Sequence, residues 1–348
     1  MRFRIATATA VLAMGALVST ACSSGTVSGT SSTTAGANGC VSGPVKVGII
    51  PKLGTDPYMV TVKNAAEAAA AASGNSDVIY TSPSDASGAA QIPFVNQLIS
   101  QGVNAIMISG SDVNSTSAAL KKAQDAGIKV VSFDSDVASG SRGFFVNQAD
   151  TSLIGAQMLT AMGDMIDHEG DFAVLSSTQT AVNQNAWIDT IRATLSSDPR
   201  YAKMNLVTVA YGEEKADVNS QKALELVRAY PDLKGIIVPA GIGLPAAAEA
   251  LSKNGYLGKV KLSGLAPVSL VKQYIATGNV QDVWWNVPDL GTLAYHTAVQ
   301  YAKCQIEPKD GAKYSVPGLG EFTVGADGQV LLGPPTIVTP QNTDSFPF

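Results

Sequence analysis

From Val45 onward, short apolar runs bounded by Gly, Pro or Asp alternate with amphipathic stretches, the pattern of βαβ units that build a parallel sheet. The runs predict strands at Val45–Ile50, Asp77–Tyr80, Asn104–Ile108, Ile128–Phe133, Gly143–Val146, Asp171–Leu175, Leu206–Ala210, Gly235–Val238, Lys259–Ser263 and Val280–Trp285. The stretches between them predict helices, among them Tyr58–Ser73, Ser115–Ala126, Leu153–Asp167, Asp217–Tyr230 and Leu244–Lys253. Several units share one transition: a helix ends, Gly102 or Gly127 breaks it, and a β-branched run begins. So many units exceed one open sheet of about five or six strands, which favours an α/β chain of two doubly wound lobes over an eight-stranded barrel.

Ahead of Val45 the pattern is different. Arg2 and Arg4 precede a mostly apolar run, Ile5 to Val18, of about fourteen residues, which has the layout of a secretory signal peptide and is too short to span a bilayer. The Ala21-Cys22 junction, with serines after it, resembles the lipobox of bacterial lipoproteins, although Ser19 stands where that motif has Leu, Val or Ile. The resemblance implies acylation of Cys22 after removal of residues 1–21. Ser23 to Gly43 is uncharged Ser, Thr, Gly and Ala, too poor in bulky apolar groups to fold, so residues 22–44 are expected to be a flexible tether. A leashed body outside the cytoplasm sits in an oxidising compartment, where Cys40 and Cys304 are expected to pair; two unpaired buried thiols are the alternative.

In open α/β sheets ligands bind beyond the carboxyl ends of the strands. After the first strand, Lys52, Asp56 and Tyr58 bring a cation, an acid and an aromatic to a helix start, where Asp56 and Pro57 equally suit a helix cap. Asp134 and Asp136 end the fourth strand; such carboxylates accept hydrogen bonds from hydroxyls or an ammonium, or cap an Asx turn. Gln148 ends the fifth strand, and Asn183 and Gln184 open a later helix; neutral amides pair with vicinal hydroxyls and serve phosphate poorly. Pro239 to Ala246 has the Gly-x-Gly-x-x-Ala spacing of a dinucleotide fingerprint at Gly241 and Gly243. No acid closes the following strand and the unit lies mid-chain, so these glycines admit a small ligand or simply turn. Trp284 and Trp285 point to opposite faces of one strand end, one able to stack on the C–H face of a sugar, or both filling core.

Composition narrows the chemistry. The chain has 348 residues with a formal charge of −5, which argues against nucleic acid as a partner. Its two histidines, His168 in a polar turn and His296 within a helix, form no Ser/His/Asp arrangement, and there is no Walker A sequence or zinc-ligand spacing. Carboxylates two apart on one strand tip also make a poor glycosidase pair. Binding without catalysis, cofactor or metal is the expectation.

These residues resemble a known group, the extracytoplasmic solute-binding proteins of sugar-type ABC importers, with the periplasmic-binding type I fold of ribose-binding protein. The likeness covers about residues 45–348. Asp56-Pro57-Tyr58-Met59 is similar to the family's Asn-Pro-Phe-Phe segment, Val130 to Asp134 to its strand ending in a sugar-binding Asp, and Val283 to Asn286 to its strand ending in a ligand-binding Gln. Phe145 to Asp150, Asn183 to Trp187 and Leu332 to Pro335 resemble the branch of autoinducer-2 and rhamnose receptors. That resemblance implies that Lys52, Asp134, Asn183, Gln184, Pro239 and Gly241 face the ligand. Asn183 replaces an Asp of autoinducer-2 receptors, pointing to a neutral sugar or sugar alcohol, and Ala266 stands where ribose receptors have a second binding Asp.

The full expected ligand set is Lys52, Asp56, Tyr58, Asp134, Asp136, Gln148, Asn183, Gln184, Pro239, Gly241, Ala266, Trp284, Trp285 and Asn286. The resemblance implies an N-terminal lobe of 45–147 plus 287–315 and a C-terminal lobe of 148–286 plus 316–348. The chain would cross between them near Gln148, near Asn286 and between Lys313 and Thr323. Cys40 and Cys304 would then meet at the outer end of the first lobe. The implied protein is a monomer, lipid-anchored on the outer face of the cytoplasmic membrane, that closes on a small sugar or polyol and delivers it to an ABC permease. A sensory, autoinducer-2-like receptor is the alternative.

Overall fold

The computed structural model describes residues 39–75 and 77–346. The expected signal peptide, Cys22 and the first part of the tether lie outside the described residues.

The first half builds β1 (Val47–Ile50), α1 (Pro57–Ala72), β2 (Val78–Tyr80), α2 (Gly88–Ser100), β3 (Ala105–Ile108), α3 (Ser117–Asp125), β4 (Lys129–Phe133) and β5 (Phe144–Asn147). The second builds α4 (Thr151–Met165), β6 (Glu169–Ser176), α5 (Val182–Ser197), β7 (Lys203–Tyr211), α6 (Ala216–Ala229), β8 (Gly235–Val238), α7 (Gly243–Lys253), β9 (Lys261–Gly264), α8 (Val268–Ile275) and β10 (Val280–Trp284). Then come α9 (Val287–Ala302), β11 (Lys313–Val316), β12 (Gly320–Thr323), β13 (Gln329–Leu331) and β14 (Thr336–Val338). All ten expected strands form. They assemble as two sheets, ordered β13-β5-β4-β3-β1-β2 and β14-β10-β9-β8-β6-β7. Every pairing in the two sheets is parallel except that of β10 with β14, which is antiparallel. This is the doubly wound, two-lobed α/β architecture.

Each sheet is covered on both faces, which is why its strands read as continuous apolar runs. In the first, Val47, Ile49, Met107 and Val131 face α1 and α9, while Ile50, Ile106, Ile108 and Val130 face α2 and α3. In the second, Phe172, Val174 and Ile237 belong with α4 and α5, and Leu175, Ile236, Val238 and Leu262 with α6, α7 and α8. Each fully buried Leu, Ile or Phe contributes about 1.5–3 kcal/mol. At Gly264 the two strands approach so closely that a Cβ would lie 2.0 Å from the Val238 carbonyl oxygen, so no larger residue fits.

The chain passes between the sheets three times: after β5, after β10, and between β13 and β14. The first two passages fall at Gln148 and Asn286. The third corrects the expected position between Lys313 and Thr323. That segment forms the β11–β12 hairpin, docked on α9 where the Tyr314 and Thr297 hydroxyls lie 2.6 Å apart and Gln300 Nε2 donates to the Ser315 carbonyl at 2.9 Å. β13 then joins β5, so residues up to Leu331 stay with the first sheet and the passage lies at Leu332 to Pro335.

Cys40 and Cys304 form a disulfide with Cα atoms 5.5 Å apart, and Val41 N–H donates to the Ala302 carbonyl at 2.9 Å beside it. Among the described residues no helix is long and apolar enough to cross a membrane.

Candidate functional site

The carboxyl ends of the two sheets face each other across a cleft. From the first sheet it is lined by Lys52, Leu53, Asp56, Tyr58, Met59 and Asp134; from the second by Asn183, Gln184, Trp187, Glu214, Pro239, Gly241, Leu265 and Trp285. The space enclosed is about 30 Å³, room for a few water-sized groups at most, so a larger ligand enters only when the two sides part.

Asp134 is the centre of the first rim. Immediately after β4 the backbone turns to φ 59°, a left-handed conformation that Asp tolerates better than most residues. This turn directs the carboxylate into the cleft, where Oδ2 accepts from Ser109 Oγ at 3.0 Å and lies 3.2 Å from Lys52 Nζ. Asp134 is buried and Lys52 nearly so, which makes the pair strong only while both are present. Asp56 is the N-cap of α1, its Oδ1 accepting the Tyr58 N–H at 3.0 Å, so a cap and a cleft position coincide in one residue. Burial, then the Glu214 charge, push its carboxyl up to about 7.

The second rim comes from helix starts and loops. Asn183 and Gln184 occupy the first turn of α5. Gln184 Oε1 accepts from Ser176 Oγ and Ser177 N–H, both at 2.7 Å, which fixes its amide plane. Asn183 spans the cleft: Lys52 Nζ donates to its Oδ1 at 3.3 Å and its Nδ2 reaches Asp134 Oδ2 at 3.5 Å. Gly241, after β8, comes so near the first rim that a Cβ there would sit 3.5 Å from Asp56 Oδ1 and 3.7 Å from Tyr58 Cβ.

An aromatic wall completes the site. Trp285 Nε1 donates to Tyr58 Oη at 3.0 Å, their rings are edge-on at 6.1 Å, and Trp187 lies 6.3 Å from Trp285. Burial and the neighbouring Asp134 charge hold the Tyr58 phenol well above its ordinary range, so it remains a hydrogen-bond donor. Three carboxyl groups, one ammonium, two amides and an indole wall can grip hydroxyls on one side of a small molecule and C–H groups on the other.

Nine of the fourteen expected site residues line this cleft: Lys52, Asp56, Tyr58, Asp134, Asn183, Gln184, Pro239, Gly241 and Trp285. The other five lie elsewhere. Asp136 is held by Arg142, whose Nε and Nη2 donate to it at 2.8 and 2.7 Å while the same guanidinium reaches Asp327; it anchors a loop behind the cleft. Ala266 is buried in the core of the second sheet, its N–H donating at 2.8 Å to Asp282, which burial pushes well above the usual carboxylate range. Trp284 packs on Phe346 at 4.9 Å, on the opposite face from Trp285. Gln148 and Asn286 lie at the passages between the sheets, beside a separate cavity that Trp284, Leu332 and Pro334 also line. There Asn286 caps α9 through Asp289 N–H, and the buried Gln148 amide has no hydrogen-bond partner. The expected set omits Glu214, in the turn after β7, and Trp187, one turn into α5.

Comparison with known proteins places this geometry. A model described as a periplasmic binding protein domain matches residues 47–305. The D-ribose/D-allose-binding protein of Pseudomonas aeruginosa is 28% identical over 200 residues, 55% of this chain and 60% of that protein, so the match spans about three fifths of that curated relative. Among solved structures, an ABC transporter solute-binding protein from Clostridium phytofermentas with bound L-rhamnose is 32% identical, with a TM-score of 0.84, covering 87% of this chain and 98% of the other. LsrB from Clostridium saccharobutylicum in complex with AI-2 is 25% identical, with a TM-score of 0.80, covering 87% of this chain and all of the other. A family model that runs from β1 to the end of α9, together with two opposed sheets whose carboxyl ends enclose the cleft, means that this chain belongs to the periplasmic binding protein domain family.

Proposed function

We propose that this protein is the extracytoplasmic solute-binding component of an ABC importer, taking a small neutral sugar or sugar alcohol and delivering it to a membrane permease. The observation that carries the reading is the cleft-spanning cluster of Lys52, Asp134 and Asn183, set against the Trp285 and Trp187 wall. Binding proceeds by closure. With the sides apart, ligand hydroxyls exchange water for Asp134, Asn183 and Gln184; as the sides meet, water leaves and those bonds strengthen in a medium of lower dielectric. Acylation at Cys22 and residues 22–44 would hold a monomeric body beside its permease.

Thermal unfolding of residues 39–348 against L-rhamnose, D-ribose, D-arabinose, glycerol and amino acids tests the reading. A ligand present at about 1,000 times its Kd adds about 4 kcal/mol of stability, a clear rise in Tm. A rise with amino acids alone, or with nothing in the panel, would remove the sugar assignment.

The likeness to LsrB favours a second reading, a receptor for AI-2. Asn183 weighs against it, and including AI-2 in the panel separates the two.

A further inference from the structure

Glu214 follows β7 in the turn Gly212 to Lys215 and is 9% exposed. Its Oε2 is buried without a hydrogen-bond partner, and the residue lines the cleft facing Asp56, Asp134, Lys52 and Tyr58 from the first rim, with Ser177 and Gln184 beside it. Among the described residues lining the cleft Lys52 is the one cation, and it is engaged by Asp134 at 3.2 Å and Asn183 at 3.3 Å. Glu214 and Asp56 thus share a small water-poor space with Lys52 as their one nearby cation, already engaged by Asp134, where a further negative charge is costly. The Glu214 charge is the largest influence on Asp56 after burial, and burial raises Glu214 itself against the opposing pull of Lys52.

We propose that Glu214 contacts the ligand and sets specificity: its free Oε2 accepts a hydrogen bond from a ligand hydroxyl, and together with Asp56 it excludes sugars bearing a carboxylate or phosphate. The inference rests on the cleft being a neutral-sugar site and adds the residue that enforces that neutrality. A hydroxyl brought to Oε2 satisfies an acceptor that the protein leaves unpaired. An anionic group brought there meets up to three carboxylates and one ammonium already spoken for.

The test is titration calorimetry of the wild type, E214Q, E214A and D134A with the tightest-binding neutral sugar of the panel and with D-galacturonate, from pH 5 to 8. The proposal expects the wild type to bind the neutral sugar and not the uronate. It expects E214A to weaken the neutral sugar about tenfold or more and E214Q, which keeps shape and one acceptor oxygen, about threefold. E214Q should also shift the pH dependence of affinity to lower pH, since Glu214 no longer raises Asp56; a merely structural residue would not move it. Wild-type affinity for D-galacturonate equal to that for the neutral sugar would overturn the proposal. So would affinities within twofold of wild type and an unmoved pH profile for E214Q, with D134A still weakening binding about tenfold or more, while the sugar reading would stand. Absence of sugar binding by the wild type would instead bring down the reading beneath it. E214Q carries the test if E214A does not fold.

Discussion

The two rims of the cleft are built on different principles. The first places formal charges, Lys52 and Asp134, on turns that follow central strands, and locks them against each other. The second places neutral amides at the start of α5, Gln184 pinned by Ser176 and Ser177, and adds from a loop the acid Glu214, whose Oε2 has no partner. A charge pair supplies strong, direction-tolerant attraction; pinned amides supply geometry. On the proposed reading the first rim supplies most of the affinity and the second most of the stereochemical choice.

Breaking the first rim should have the largest effect. On the proposed reading Asp134→Ala removes the ligand's charged acceptor and leaves the Lys52 ammonium without its carboxylate, so affinity should fall between about tenfold and a hundredfold, read by calorimetry, with Tm lowered as well. The control is Asp136→Ala, two residues away, which should lower Tm by freeing the buried Arg142 and leave Kd unchanged. Breaking the second rim with Asn183→Ala should cost about tenfold or less in affinity and change the preference among sugar epimers, since the amide positions hydroxyls without adding charge.

Proton linkage probes the first rim from another direction. Burial and Glu214 raise Asp56 from 3.8 to about 7 with the two sides together, so a closure that buries it is expected to take up a proton. The contribution is complete below about pH 3.8 and is lost as pH rises to about 7; affinity should fall over that window by at most about tenfold per unit and level off above it. The smallest contrast lies in the adjacent indoles. Trp285→Phe loses the bond to Tyr58 and should weaken binding severalfold, about 1 kcal/mol, whereas Trp284→Phe should leave Kd unchanged.

Much of this was legible in the chain, because strands buried on both faces announce themselves as unbroken apolar runs and place their carboxyl ends by arithmetic. What escaped has physical causes. Asp134 and Asp136 look equivalent by spacing, but the left-handed turn at Asp134 resets the alternation, and the partner that claims Asp136 lies six residues on. Ala266 lies in the core with its N–H held by Asp282, a fully buried acid whose residue type gives no sign of burial. Glu214 sits in Gly-Glu-Glu-Lys, which reads as a solvated turn; that it follows the strand ending at Tyr211 was the available signal. The three-residue strands β13 and β14 lie in a Gly- and Pro-rich tail too short to show periodicity.

The cross-link between Cys40 and Cys304 also sets how the molecule bears a mechanical load. Tension applied through the residues ahead of Cys40 passes by the disulfide, and by the Val41 to Ala302 hydrogen bond, straight into the end of α9, a helix packed on the first sheet. None of that path runs through Asn183, Gln184 or the three passages between the sheets. In the anchored, closing protein proposed above, one half of the molecule would be the fixed frame, and the other would swing on it without working against its mooring.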